Sequence, residues 1–406
     1  MQENCDLKHY ERISNILPAV KGLAILMIVM YHLLMYSQNV QSFSQIITFS
    51  STKGLASLVD GLISTFCYLG KFGVHFFLIA SGFGLGASWW RQTHLSSKKY
   101  FTTVSFWQRR LLRLLPLYWL AIGLALILFL INHDLIPYGK DIFTQGGVEV
   151  FTAILATLTT FRNLIWKYYF FLNGAWWYVG LAIQLYFIFP FLIGCIQRWS
   201  YSILLLGSLI VSLLYRGLVV ALPLNDLATN LLLRGSLFPS RLFEFVFGLV
   251  LAIVLLEKNT LKNSDAFNSF VRLSKNLVLK PSWLGFNIFL WVLGFVCDWV
   301  SSSEQWMILR VPSDALIGVG EFGLIFHLLC SVKWANKWLS LLGNYSYGIF
   351  LTHMNIYVGL WFVMQSFIHS YWVRFALVTL ITCALGMFLE LSYNWVVKKC
   401  FSKQLA

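Results

Sequence analysis

Long apolar runs separated by short polar ones set the pattern of this chain. Eleven apolar segments are readable, at about 16–36, 68–88, 112–132, 151–165, 175–197, 201–222, 241–256, 283–297, 313–330, 346–366 and 374–397. A helix needs roughly 20 apolar residues to cross the hydrocarbon of a bilayer. Lipid offers no hydrogen bonds to an open backbone, so runs of this length predict helices. The fourth segment is the exception. From Phe151 to Phe161 it offers only a short apolar stretch before Arg162, which predicts a re-entrant or non-spanning piece.

Lysine and arginine decide between ten crossings and eleven. If the fourth segment stays on one side, the loops on the N-terminal side hold 18 basic residues and the opposite loops 6. If it crosses, the totals become 11 and 13, and the asymmetry that orients membrane proteins vanishes. The prediction is an all-α polytopic membrane protein with about ten transmembrane helices and one short re-entrant or non-spanning segment. Both termini are placed in the cytoplasm: residues 1–15 and 398–406 form the ends, 16–397 the helical bundle, with no appended soluble domain. Ile16–Tyr36 is too long for a cleaved signal peptide and carries Lys21 too early.

Composition excludes a soluble globular protein, with 58% hydrophobic and 11% charged residues and a mean hydropathy of +0.72. The net charge of +14 would suit a nucleic-acid partner, but the charges lie between the apolar segments, where the positive-inside rule puts them. Nucleic acid is therefore not expected. The cysteines, among them Cys67, Cys195, Cys297, Cys330 and Cys383, lie mostly in apolar stretches without metal-ligand spacing. They predict neither a disulfide scaffold nor a metal site.

Ionisable groups at membrane depth are expensive and mark functional sites by default. Lys21 and His32 share the first segment. Eleven residues of helix return to within roughly 20° of the same face and rise roughly 16 Å, so the two suggest a polar path through the protein. The plainer reading has Lys21 snorkelling to headgroups and His32 bonded to a neighbouring helix. His32 is the best candidate for acid/base work, because imidazole titrates near working pH. His75 and His353 are weaker candidates for that role. Arg109, Arg110 and Arg113 sit at the opening of the third segment at i,i+3 and i,i+4 spacing. Their planar forks suit phosphate, or simply anionic headgroups. Pro116 comes early in that segment, where proline is tolerated.

Trp176, Trp177 and Tyr178 fall at a predicted interface and read as an aromatic belt, or as a platform for a sugar. Arg241 and Glu244, at i,i+3, either neutralise each other or touch substrate. Glu321 and Glu390 are isolated carboxyls in apolar runs, with no partner nameable from the sequence. No nucleophile-elbow serine or cysteine is present, so base-assisted direct transfer fits better than a covalent enzyme intermediate.

These motifs, taken together, resemble the acyltransferase-3 family of integral membrane O-acyltransferases. LPAVKGLAILMIVMYH is similar to the family's opening of a basic residue, ten spacers and a histidine. GVHFFLIASGF, RRLLRLLPLYW, WWYVGLAIQLYFIFP, SRLFEFVFGLVLA and NYSYGIFLTH resemble its later signatures in the same order. The resemblance implies catalytic His32 supported by Lys21, and Arg110 and Arg113 (with Arg109 nearby) serving an acyl-CoA donor. Ser81, Trp177, Gln184, Tyr186, Arg241, Glu244, Glu321, His75 and His353 are then candidates for the acceptor site or its support. Two departures stand out: Lys21 replaces the usual arginine, and Ala182 occupies a position where the family commonly has glutamate.

The expected activity is transfer of an acyl group, acetyl before succinyl or longer, from acyl-CoA to a hydroxyl of a cell-surface glycan or lipid-linked sugar. The setting would be a bacterial cytoplasmic membrane, with membrane lipids as further partners. No tightly bound cofactor and no metal is expected. The competing class is a transporter or exporter of glycan or lipid using the same polar path. Against it, neither an inverted repeat nor paired broken helices are seen.

Overall fold

The computed structural model describes residues 2–38, 42–50, 54–95, 102–257 and 266–401. Sixteen α-helices and no strand are found among them. The first five are α1 (Gln2–Gln38), α2 (Phe43–Ser50), α3 (Gly54–Tyr68), α4 (Gly73–His94) and α5 (Thr103–Ile131). Then come α6 (Gly147–Leu158), α7 (Trp177–Arg198), α8 (Tyr201–Ala221), α9 (Asp226–Arg234), α10 (Leu242–Leu256) and α11 (Ala266–Leu279). The last are α12 (Leu284–Val300), α13 (Arg310–Ser331), α14 (Lys333–Asn344), α15 (Ser346–Gln365) and α16 (Tyr371–Phe401).

Ten helical stretches are long and apolar enough to cross a membrane, as the spacing and charge of the sequence predict. The fourth apolar segment becomes α6, only 12 residues long, followed by short 3-10 turns up to Trp176. Several stretches expected to be loops are helical instead, namely α2, α3, α9, α11 and α14. They are short or amphipathic, so their sequences lack the membrane-length apolar runs that mark the spans. α5 also begins earlier than its apolar run. Pro116 therefore lies inside the helix, and the arginines follow its first turn rather than opening it.

The chain divides into two compact units. One comprises Met1–Val20, Val74–Leu111 and Gly180–Ser340. Its centre is α10, whose every residue is buried, as suits a helix that is apolar on all sides apart from Glu244 in its first turn. α4 packs on α10 through glycines at which a side chain has no room. A Cβ on Gly82 would lie 1.9 Å from the Phe245 carbonyl oxygen, and one on Gly248 2.0 Å from that of Ile79. Small residues of this kind let membrane helices approach backbone to backbone.

The other unit comprises Lys21–Gly73, Leu112–Val179 and Leu341–Ala406. Here α15 and α16 meet at Gly348 and Gly386, where a Cβ on Gly386 would sit 2.5 Å from the Ile349 Cα. The Glu390 carboxylate on α16 accepts a hydrogen bond from the Gly348 N–H at 2.7 Å. It serves one of the open donors of α15's first turn, as N-terminal carboxylates do. In the segment between α5 and α7, Glu149 is bound by Lys167 and by the Tyr168 hydroxyl at 2.6 Å. Those two hydrogen bonds hold the Glu149 carboxyl below its ordinary range.

Candidate functional site

α1 carries His32 and α15 carries His353, and the two meet in the second unit. Nδ1 of His32 lies 3.0 Å from Nε2 of His353. Nδ1 of His353 lies 2.8 Å from the carbonyl oxygen of Phe350, one turn earlier on α15. A carbonyl oxygen only accepts, so Nδ1 of His353 carries the hydrogen. In neutral His353 the other nitrogen, Nε2, is then the acceptor, and Nδ1–H of His32 donates to it. The chain of bonds leaves His32 with its lone pair on Nε2. A histidine whose far nitrogen is held in this way is oriented for taking a proton. The neighbourhood is aromatic: Tyr31 lies 5.1 Å and His353 5.1 Å from the His32 ring, and Phe350 and Tyr357 flank His353.

The His353 ring is fully buried, whereas His32 is half-buried. Burial makes a charge costly at the first and leaves the second reachable. α15 is in turn fixed from two directions. The Tyr347 hydroxyl donates to the Leu114 carbonyl of α5 at 2.9 Å. Asn173 donates to Asn355 at 2.7 Å and Trp176 to the Leu351 carbonyl at 2.8 Å. The loop bearing Asn173 is itself gathered by Arg162, which is fully buried. Its guanidinium donates to the carbonyls of Tyr169 and Asn173, and burial lowers its affinity for its proton. So the short, non-spanning α6 and the turns after it are a brace for the helix that carries His353.

This corrects the reading of Trp176 and Trp177 as an interfacial aromatic belt. Both rings are buried, because Arg162 and Asn173 draw the turn that carries them into the protein.

In the first unit, α4, α8, α10 and α13 each contribute an ionisable side chain to one buried cluster. Nδ1 of His75 is 3.2 Å from Oε1 of Glu244, and its Nε2 is 3.7 Å from Oδ1 of Asp314. Arg241 reaches Glu244 at 3.2 Å and Asp314 at 2.8 Å, and Arg216 also binds Asp314. The arginines are further bound by carbonyls of Arg234, Val311 and Leu233. Two guanidinium groups and two carboxylates balance, with His75 between the acids. Charges buried in this way persist only when paired and hydrogen-bonded throughout. The pairing of Arg241 with Glu244 therefore takes the neutralising form, and both nitrogens of His75 face acids rather than an open space. Arg216 and Asp314 went unread in the sequence, although each is an ionisable residue inside an apolar segment.

The remaining candidates are placed as follows. Lys21 is half-buried on α1. Arg109 and Arg113 are exposed on α5, and the Arg110 guanidinium lies 5.6 Å from the centre of the Phe106 ring. Gln184 holds the 236–238 turn, donating to the Ser236 carbonyl at 2.8 Å and accepting from the Phe238 N–H at 2.9 Å. The Tyr186 carbonyl accepts from Trp107 at 3.0 Å, and Ser81 is half-buried beside Gly82. Glu321 is buried, and its Oε2 has no hydrogen-bond partner among the described residues. No group of three or more metal-binding side chains is found among the described residues.

Comparison with protein families brings a match to the acyltransferase domain of the acyltransferase-3 type over residues 16–391. That is nearly the whole chain. It belongs to the acyltransferase-3 family. Membership makes the protein a multi-pass membrane acyltransferase, with an acyl donor, an acyl acceptor and membrane lipids as its partners. No curated protein and no solved structure matches the chain.

Proposed function

We propose that this acyltransferase moves an acyl group, most simply acetyl, from acyl-CoA to a hydroxyl of a cell-surface glycan or lipid-linked sugar at a bacterial cytoplasmic membrane. The observation that carries the reading is the 3.0 Å contact between His32 and His353, which puts the basic lone pair on Nε2 of His32. In the proposed step the acceptor hydroxyl gives its proton to that nitrogen as its oxygen bonds to the thioester carbonyl carbon. The tetrahedral intermediate then collapses, the C–S bond breaks, and the departing thiolate takes the proton from the imidazolium. His32 is regenerated, and an ester and a free thiol are the products. Positioned base catalysis of this kind supplies about 10²–10⁴ in rate.

Arg109, Arg110 and Arg113 are assigned to the phosphates of the donor, where the guanidinium fork favours phosphate oxygens. Lys21 is assigned an electrostatic role on the donor side. The buried cluster around His75 is assigned to support, because its arginines and acids are already matched to one another. Membership in an acyltransferase family weighs against the transporter reading, which uses the same ionisable residues without chemistry.

The test is incubation of membranes with acyl-labelled acetyl-CoA. Wild-type protein should leave label on a glycan or lipid-linked acceptor. His32→Ala, inserted to the same level, should leave about 10²–10⁴ less. Labelling by His32→Ala at the wild-type rate would remove His32 from the mechanism, and label moved across the membrane without bond formation would favour transport.

A further inference from the structure

Among the described residues of the short α-helices, only α14 carries exposed tryptophans. A single residue, Val332, separates it from α13, and Tyr345 alone separates it from α15. Both neighbours belong to candidate spans, Glu304–Ser331 and Ser346–Gln365, so its 12 residues are tethered at a membrane surface at each end. At about 100° per residue, its exposed side divides into two adjoining strips. Lys333, Lys337 and Asn344 fall within about 40° of one another, and Leu341, Trp334 and Trp338 fill the next 60° or so. Trp334 is 77% exposed, Trp338 66% and Leu341 40%. The opposite side, with Ala335, Leu339, Leu342 and Gly343, is turned toward the protein.

Two indoles left bare in water are unfavourable, whereas indole rings collect at the level of lipid headgroups. Lysines alongside them suit anionic headgroups, and the two strips match the polar and apolar edges of a helix lying in the interface plane. We propose that α14 is an interfacial helix that seats Trp334, Trp338 and Leu341 at the boundary of headgroups and acyl chains and binds anionic lipid through Lys333 and Lys337. The occupant of this face is the protein's own bilayer, with a preference for anionic phospholipid.

The full chain is reconstituted in nanodiscs, as wild type and as the Trp334→Phe/Trp338→Phe variant. The difference in their emission isolates these two indoles from the other tryptophans. Phosphatidylcholine brominated near the headgroup should quench that difference more than the same lipid brominated deep in its chains. Brominated phosphatidylglycerol should quench it several-fold more effectively than brominated phosphatidylcholine, since lysines near the surface draw anionic lipid to it. Lys333→Gln/Lys337→Gln should abolish the preference for phosphatidylglycerol while keeping the depth profile. Emission untouched by bromine at either depth would mean water or another protein chain on this face, and would overturn the proposal. A preference unchanged in the lysine variant would overturn its lipid specificity.

Discussion

His353→Phe is the sharpest perturbation of the histidine pair. Phenylalanine fills nearly the same volume between Phe350 and Tyr357, so α15 should keep its packing. What it removes is the acceptor 3.0 Å from Nδ1 of His32. A donor shielded from water and left without an acceptor costs about 1–3 kcal/mol, which sets the upper end for the part-buried His32. The His32 ring escapes that cost by moving its hydrogen to Nε2 or by turning, and either escape takes the lone pair away from the acceptor hydroxyl. At about 1.4 kcal/mol per decade, the expected loss in kcat is about 5- to 150-fold. That is smaller than the loss from His32→Ala, and the KM for acyl-CoA should not move. His353→Gln, whose side-chain carbonyl offers an acceptor again, should recover part of the rate. The assay is acyl transfer from labelled acyl-CoA in membranes, normalised to inserted protein, with donor concentration varied. A His353→Phe enzyme within twofold of wild type would refute the orienting role, as would a changed KM at unchanged kcat.

Arg113→Ala should raise the donor KM by about 10- to 100-fold, the equivalent of a charge-assisted hydrogen bond of about 1.5–3 kcal/mol. An unchanged KM in the same transfer assay would dismiss the phosphate assignment. Asp314→Asn strips the shared carboxylate from both Arg216 and Arg241, and thermal or denaturant unfolding in detergent should show a loss of about 3–5 kcal/mol. Asp134→Asn, which breaks only the exposed pair with Lys140, should leave unfolding unchanged; equal effects would mean the buried cluster carries no special weight. Gly82→Ala should reduce the yield of folded protein, since its Cβ would meet backbone 1.9 Å away, whereas Gly84→Ala on the same helix, with nothing within 4 Å, should be silent.

What the sequence made legible follows from how far each signal reaches along the chain. Ten candidate spans and the shortness of the fourth apolar segment are written in run length and in the placement of lysine and arginine, which are local properties. The candidacy of His32 was legible for the same reason, an imidazole inside an apolar run. Its partnership with His353 was not, because 321 residues separate them and periodicity carries no information about which helices become neighbours. Asp314 and Arg216 carry the same signal as Lys21, an ionisable group inside an apolar run. Arg162 and Asn173 are different. Each acts by bonding carbonyls or a single amide of a turn, and no spacing rule announces such a contact. Ala182 remains without an account: nothing in the structure shows what replaces the acid common at that position.

The paired imidazoles come from the first and the ninth of the ten candidate spans. A polypeptide emerging from the ribosome therefore gains the second ring of the pair 321 residues after the first. Fragments that stop short of α15, whether stalled, truncated or clipped, have no second ring with which to align the first. Under the proposed mechanism, such fragments would carry the base without the ring that orients it.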